Sequence, residues 1–550
     1  MAKPALAVAA PPVAARPADV RRRPARPGRV EGARRALVTA VTVGALWELV
    51  GRLKLVGDGA FPALSAIATR WWQDRADYPP HIAATVRAAS LGFAFGVAIA
   101  VLAGVAFATW PTLERLMRGV GITLFAVPLI ALVPVLILAF SGTKPRVILA
   151  ALAVYYPTMI STVIGLREID PRLPDVIRVS GGDDRAVMRY VRLRSAVPSV
   201  LAGMRMAAPA ALLGAILAEF GGGVRWGLGS YLLASLGQAR PARLWGIGLV
   251  ATAIAASAYG IFSWLGARVT RANLSATLAT NATPAVLESG PKRPLWQRAA
   301  FSIASVLVVL GLWAGVLRLL HMSPVVAKSP LGVVRYLATG ARGANARHRL
   351  LTALRQTLPL GFLGLVAGLA AAFVLAVTFK LRPSLGRAVF PFALVTQTMP
   401  LAALTPLVVL VFGRDVLATT VVCLSVTFFP SFVIISQALS ATSPKADDVI
   451  RAYGGSPWAS MRFVGLPAAV PALLTAARLA TPRALLGVMI AEYLATGNGL
   501  GFLLSQSRGL LDYGMIWTVA ATSVTVAIIL TQFVGLLERR VTRVAGNGTS

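Results

Sequence analysis

Acid is what this sequence lacks most. Its 550 residues hold 20 Asp and Glu against 54 Lys and Arg, a formal net charge of +34, and only 13% of residues are charged. A soluble protein carries about twice that charged fraction. There is one cysteine, Cys423, inside an apolar run, so a disulfide framework and a Cys-based zinc site are both excluded. It reads as a small buried hydrophobe. The three histidines, His81, His321 and His348, lie far apart without ligand spacing, so no metal site is expected and they read as ordinary loop residues. No Ser/His/Asp, His-Glu-x-x-His or clustered-carboxylate constellation is present, so no catalytic residue is assigned and the chain does not read as an enzyme. Basic excess alone would suit nucleic acid. Here it sits in tails and loops between apolar runs, where the positive-inside rule puts Lys and Arg, so membrane lipid is the expected surrounding and nucleic acid is not an expected partner.

Apolar sequence is what the chain has in quantity, at 57% of residues. A bilayer span needs about 20 mostly apolar residues. Twelve segments qualify: 36–56, 88–110, 119–140, 145–166, 196–220, 243–266, 297–320, 357–379, 388–412, 414–439, 469–495 and 515–537. The fold class is therefore all-α, a polytopic membrane protein. Prolines inside spans, such as Pro128, Pro134 and Pro157, are tolerated where neighbouring helices re-satisfy the freed carbonyls. Residues 1–35 carry nine Lys or Arg, two acids and six prolines without an apolar core, which predicts a disordered basic tail and not a cleaved signal.

The chain repeats itself. Asp175–Phe220 aligns with Asp448–Tyr493 at a constant offset of 273, without a gap, and 24 of 46 positions are identical. Pro128, Pro134 and Pro157 answer Pro400, Pro406 and Pro430, and Gly227-Leu228-Gly229 answers Gly499-Leu500-Gly501. Six spans per repeat is an even number, so the repeats are parallel rather than inverted. The expected organisation is a tail over 1–35, a first spanning unit over 36–266, a linker over 267–296, a second unit over 297–540 and a short tail over 541–550. Charge favours cytoplasmic termini, although the loop before the eighth span is basic too, with Lys328, Arg335, Arg342, Arg347 and Arg349 and no acid.

The loop after the fourth span recurs after the tenth. Each copy reads as two short helices around a turn. Asp170 before Pro171 and Ser443 before Pro444 are cap-then-proline starts. Gly181-Gly182 and Gly454-Gly455 supply the turn. Asp183 and Ser456 cap the second helix. The segments Asp175-Val176-Ile177-Arg178-Val179-Ser180-Gly181 and Asp448-Val449-Ile450-Arg451-Ala452-Tyr453-Gly454 resemble the EAA loop of ATP-binding-cassette importer permeases. Leu466-Pro467 fits the family's ending, and Leu193-Arg194 departs from it. Leu46-Trp47-Glu48-Leu49, the Pro-rich third span and the Ala-Glu that ends the fifth span are similar to the nitrate/sulfonate/taurine type.

That resemblance implies a permease subunit whose coupling loops, through Asp175, Arg178, Gly181 and Gly182 and through Asp448, Arg451, Gly454 and Gly455, seat on two copies of a cytoplasmic ATPase subunit. The chain carries no Gly-x-x-x-x-Gly-Lys-Ser/Thr phosphate loop, so ATP is used by that partner and no cofactor is bound directly. A periplasmic or lipid-anchored substrate-binding protein and a bacterial inner-membrane location are implied as well. Intramembrane charge is rare and usually functional. Glu219 and Glu492 near the ends of the fifth spans, and Arg483, whose counterpart is Ala210, are candidates for the translocation path of a small anionic solute. Arg205 and Arg478 read as interface anchors. Each is too far along its helix, about 21 Å, to pair with Glu219 or Glu492. An ion-gradient-driven transporter or channel is the alternative, and it would need mid-depth carboxylates on broken helices.

Overall fold

The computed structural model describes residues 29–170, 172–221, 224–238, 240–269, 295–382 and 399–547, and among them every regular element is helical. Most of the expected tail and linker, and residues 388–398 of the ninth expected span, lie outside the described residues. In the first unit the helices are α1 (Arg29–Arg52), α2 (Leu64–Gln73), α3 (Tyr78–Thr109), α4 (Pro111–Ala126), α5 (Leu129–Ala139), α6 (Lys144–Arg167), α7 (Arg172–Val179), α8 (Asp184–Val187), α9 (Leu193–Gly221), α10 (Leu228–Gly237) and α11 (Pro241–Val269). In the second they are α12 (Leu295–Leu319), α13 (Pro330–Ala338), α14 (Gly340–Leu381), α15 (Leu401–Phe412), α16 (Val416–Ser440), α17 (Pro444–Ala452), α18 (Pro457–Ser460), α19 (Leu466–Ala491), α20 (Gly499–Gly509) and α21 (Tyr513–Asn547).

Among the described residues eight helices are long and apolar enough to cross a membrane, or nine if one bent pair counts as a single span. That pair corrects the third expected span, 119–140. Its α4 and α5 portions meet at 99°. Val127 and Pro128 are both extended there, because the proline ring drives the residue before it out of the helical region. Pro400 takes the same extended conformation at the start of α15. Pro134 and Pro406 stay inside helices.

Close packing of the second, fourth and fifth spans builds each unit. Gly104 of α3 lies where a Cβ would come within 2.7 Å of Thr162 in α6, and Gly214 of α9 where one would come within 2.7 Å of the Leu149 carbonyl. Small residues let membrane helices approach closely enough for dispersion contacts to hold them. Cys423 belongs to the matching contact of the second unit. It is fully buried, and its thiol donates to the Ala484 carbonyl at 3.6 Å. The units also grip each other. Ser305 of α12 donates to the Leu116 carbonyl at 2.7 Å and accepts from the Gly119 amide at 2.9 Å, both in α4.

Candidate functional site

Each coupling loop is built as its residues dictate. α7 ends at Gly181, whose φ of +82° is left-handed, and α17 ends at Gly454, with φ +76°. The second glycine of each pair works differently. The Gly182 and Gly455 amides donate to the Ile177 and Ile450 carbonyls, both at 2.9 Å. A Cβ on Gly455 would stand 2.7 Å from that carbonyl, so the side chain is excluded by packing rather than by φ. Asp183 caps α8 by accepting from the Ala186 amide at 2.8 Å, and Ser456 caps α18 by accepting from Ala459 at 3.3 Å. Asp170 accepts from the Arg172 amide at 2.9 Å. Ser443 makes no side-chain cap, contrary to the sequence expectation. The adjoining Pro444 already fixes the first helical φ and has no amide to satisfy there. Behind each loop a single wide π turn, Met188–Arg192 or Met461–Gly465, runs directly into the fifth span.

The copies differ in what they expose. Arg178 is tied to Asp184 at 3.2 Å and to Asp175 at 3.6 Å. Pro457 replaces Asp184 in the second copy, and among the described residues Arg451 has no ion pair. The first loop presents Val176 and Val179, and the second presents Val449, Tyr453 and Trp458. Val179 is 89% exposed and Tyr453 90%. Exposed apolar and aromatic side chains on an otherwise polar loop mark an interaction surface.

At the far end of each unit, opposite the loops, lies a second repeated arrangement. Thr85 in α3 donates to Glu219 Oε1 at 2.8 Å and accepts from the Leu228 amide at 2.8 Å. Glu219 Oε2 accepts from the Gly229 amide at 2.7 Å. In the second unit Thr357 donates to Glu492 Oε1 at 2.8 Å and accepts from Leu500 at 2.8 Å, and Gly501 donates to Glu492 Oε2 at 2.9 Å. Thus a carboxylate and a threonine clamp the Gly-Leu-Gly start of a short helix against two spans. The glycines are required because the backbone lies against the carboxylate: a Cβ on Gly501 would come within 2.8 Å of both Glu492 Cβ and the Tyr493 amide. Both carboxylates are 1% exposed. Sequence reading picked out Glu219 and Glu492 and missed Thr85 and Thr357. The signal was available, since the offset of 272 that aligns the Gly-Leu-Gly runs also aligns the two threonines.

The clamps are unequal. Arg146 approaches Glu219 Oε1 at 3.7 Å and donates to the Trp226 carbonyl at 3.2 Å. Its counterpart at the offset of 273 is Thr419, and no cation is ion-paired with Glu492 among the described residues. His81 is no loop residue. α3 starts ten residues before the expected span, so His81 is buried in it, stacked on Tyr231 at 4.4 Å, and its Nδ1 lies 2.8 Å from the Gly227 carbonyl and 3.0 Å from the Gly227 amide. His348 is helical too, in α14, and exposed. Nearby, Asp74 at the end of α2 pairs with Arg70 of the same helix at 2.8 Å and joins it to α11 through Arg243 at 2.6 Å. Burial pushes its carboxyl up, but the hydrogen bonds from the two guanidiniums outweigh this and hold it below its ordinary value.

Arg478 pairs with Glu538 of α21 at 3.3 Å, and Arg205 lies 5.3 Å over the Tyr259 ring. Both sit at the loop end of the fifth span. Arg483 is partly accessible within α19 and has no ion pair among the described residues. The acid-free segment 383–398 supplies none either.

Comparison with known proteins agrees with this geometry. The chain is 31% identical over 161 residues to the riboflavin transport system permease protein RibX of Chloroflexus aurantiacus, covering 29% of this chain and 59% of that one. It is 29% identical over 151 residues to the formylaminopyrimidine transport permease protein ThiX of Halalkalibacterium halodurans, covering 28% and 60%. It thus spans less than two thirds of the length of each of these two. The match to the putative aliphatic sulfonates transport permease protein SsuC of Bacillus subtilis is longer, 27% identical over 267 residues, 48% of this chain and 92% of that one. No solved structure matches. The model of binding-protein-dependent transport system inner membrane components matches twice, over residues 92–272 and 364–543, one match per structural unit, so the chain belongs to that family as a tandem of two of its members.

Proposed function

We propose that the chain is the translocating subunit of an ATP-driven importer in the bacterial inner membrane, with cytoplasmic termini, and that each coupling loop seats on one copy of a separate ATPase subunit. The observation that carries this reading is the pair of capped, glycine-turned loops, each with a side chain about nine-tenths exposed beside the turn, Val179 and Tyr453. The fused halves, 36–266 and 297–540, then supply both members of a permease pair. ATP stays with the partner, and a substrate-binding protein delivers solute at the far end. Against an ion-driven mechanism stands the use of both intramembrane carboxylates as backbone acceptors. A cross-linking experiment tests the reading. In a Cys423→Ala background, Val179→Cys and Tyr453→Cys should each cross-link to the ATPase subunit, and the cross-link at each site should change with ATP. Cross-linking of neither site would remove the docking role.

The solute we assign is a small anion of the nitrate, sulfonate or taurine kind. An unpaired guanidinium inside a membrane bundle is costly, and an anion passing Arg483 offsets that cost. Arg483→Ala should slow anion uptake about tenfold or more, the loss of one charged contact, with basal ATP hydrolysis unchanged. Unaltered anion uptake with normal coupling would sink the assignment. Glu219 and Glu492 enter this reading as the groups that set the far-end shape of the path, through their clamps, rather than as solute contacts.

A further inference from the structure

The two coupling loops align residue for residue at the offset of 273, so their differences can be read position by position. Val176 and Val449 are equivalent, and both are exposed. Three other exposed positions are filled differently. Tyr453 stands where the first copy has Ser180, Trp458 where it has Arg185, and Phe463 where it has Tyr190. Tyr453, just past α17, is 90% exposed, Trp458 in α18 is 54% exposed, and Phe463 in the π turn is 64% exposed. The first copy answers with Leu173 and Val179 where the second has Ala446 and Ala452, but these side chains are aliphatic and smaller.

Charge fills much of the same surface in the first loop. From Arg172 to Arg194 five Arg and three Asp are exposed, and from Lys445 to Pro467 three cations and one acid. The surplus is two positive charges in both copies, so the loops differ in the kind of surface and not in its sign. Arg178 is engaged by Asp175 and Asp184, and the Tyr190 ring has the Arg189 and Arg194 guanidiniums 5.8 Å from its centroid. The two surfaces hold a partner by different forces. Covering an aromatic ring removes a large apolar area from water, and such rings carry much of the energy of protein interfaces. Exposed charges each contribute little and are screened over about 8 Å at physiological ionic strength.

We infer that the second loop anchors the ATPase pair and the first loop is its weaker, salt-sensitive seat, so that assembly passes through a form with one ATPase subunit, held on the second copy. The inference rests on the docking reading above, which gives both loops the same partner and does not rank them. Two identical subunits then meet unequal seats in one chain, and the order of loading is built into its sequence. Tyr453, Trp458 and Phe463 take the first subunit, and the second closes onto the charged loop beside it.

The test uses the full assembly in nanodiscs, in a Cys423→Ala background, with a reagent that bridges cysteine to lysine. Single cysteines at the equivalent positions, Val176→Cys and Val449→Cys, report ATPase occupancy of each loop separately. Between about 50 and 500 mM salt screening goes from weak to strong. Across that range the Val176→Cys cross-link should fall about tenfold or more, and the Val449→Cys cross-link less than about threefold. Exchanging residues between the copies should move the property. Tyr453→Ser with Trp458→Arg should make the second seat as salt-labile as the first, and Ser180→Tyr with Arg185→Trp should make the first as salt-resistant as the second. Each substitution places at an exposed position a residue that the equivalent loop already holds there. Cross-links that fall in parallel or in the opposite order overturn the inference, and so does an order that the exchange leaves unchanged. If neither cysteine cross-links to the ATPase subunit even at low salt, the docking reading itself fails and this inference falls with it, an outcome distinct from parallel loss.

Discussion

With its ATPase partner bound, the Gly181→Val, Gly454→Val protein should still hydrolyse ATP but import solute about tenfold more slowly than wild type, or worse. The reason is local. Gly181 and Gly454 sit at φ +82° and +76°. A side chain there costs roughly 1–2 kcal/mol, and a β-branched one more. Open space surrounds both positions, with nothing within 4 Å of a Cβ, so the penalty is backbone strain and not collision. The turn relieves that strain by opening, which swings Val179 and Tyr453 out of register with a docked surface. About 1.4 kcal/mol of lost docking energy is already a factor of ten. Coupled measurements of uptake and ATP hydrolysis in vesicles check this. Wild-type coupling in the double variant would count against the loops as the docking elements.

The second large effect belongs to the far-end clamp. Thr357→Val keeps the shape of the side chain but removes a hydroxyl that donates to Glu492 and accepts from the Leu500 amide. Two buried polar groups then lose a partner, at about 1–3 kcal/mol each. We expect a loss of roughly 2–6 kcal/mol on that basis. Thr85→Val should cost clearly less, because Arg146 stays 3.7 Å from the same carboxylate in the first unit. Unfolding of the two variants side by side in mixed micelles reads the difference. Equal losses would show that the cation at Arg146 does not compensate.

Much of this molecule is legible in its sequence because membranes simplify the code. Apolar runs mark most spans to within a few residues, and an internal repeat aligned by Gly-Gly, Ala-Val-Pro and Ala-Glu exposes the tandem without any relative. What stayed hidden needed a third dimension. Pro128 was visible as a tolerated kink, but the 99° break depends on Val127 and Pro128 both being extended. Glu219 and Glu492 stood out as costly charges. Their partners, two threonines on other spans, carry no charge to draw the eye. Pairs across units or along the fold, Ser305 with Gly119 or Arg243 with Asp74, join residues more than 150 apart in sequence. The loops were the opposite case. Their glycine turns and three of their four expected caps are made by local contacts, so these could be read directly.

The π turns between the coupling loops and the fifth spans have a mechanical consequence. From Asp184 to Gly221 the chain is one continuous helical segment of 38 residues, about 57 Å if straight. The second helix of the loop and the far-end carboxylate thus belong to one helical segment, with the glycine turn outside it. A π turn is a one-residue insertion into an α-helix, so it sets the azimuth at which the loop leaves the rod, by about 100° per residue. On the proposed docking of the loop, the rod would act as a lever with the loop as its handle and the clamp at its other end. A push at the handle would then arrive at the clamp as tilt, and the width of one helical turn would decide in which direction.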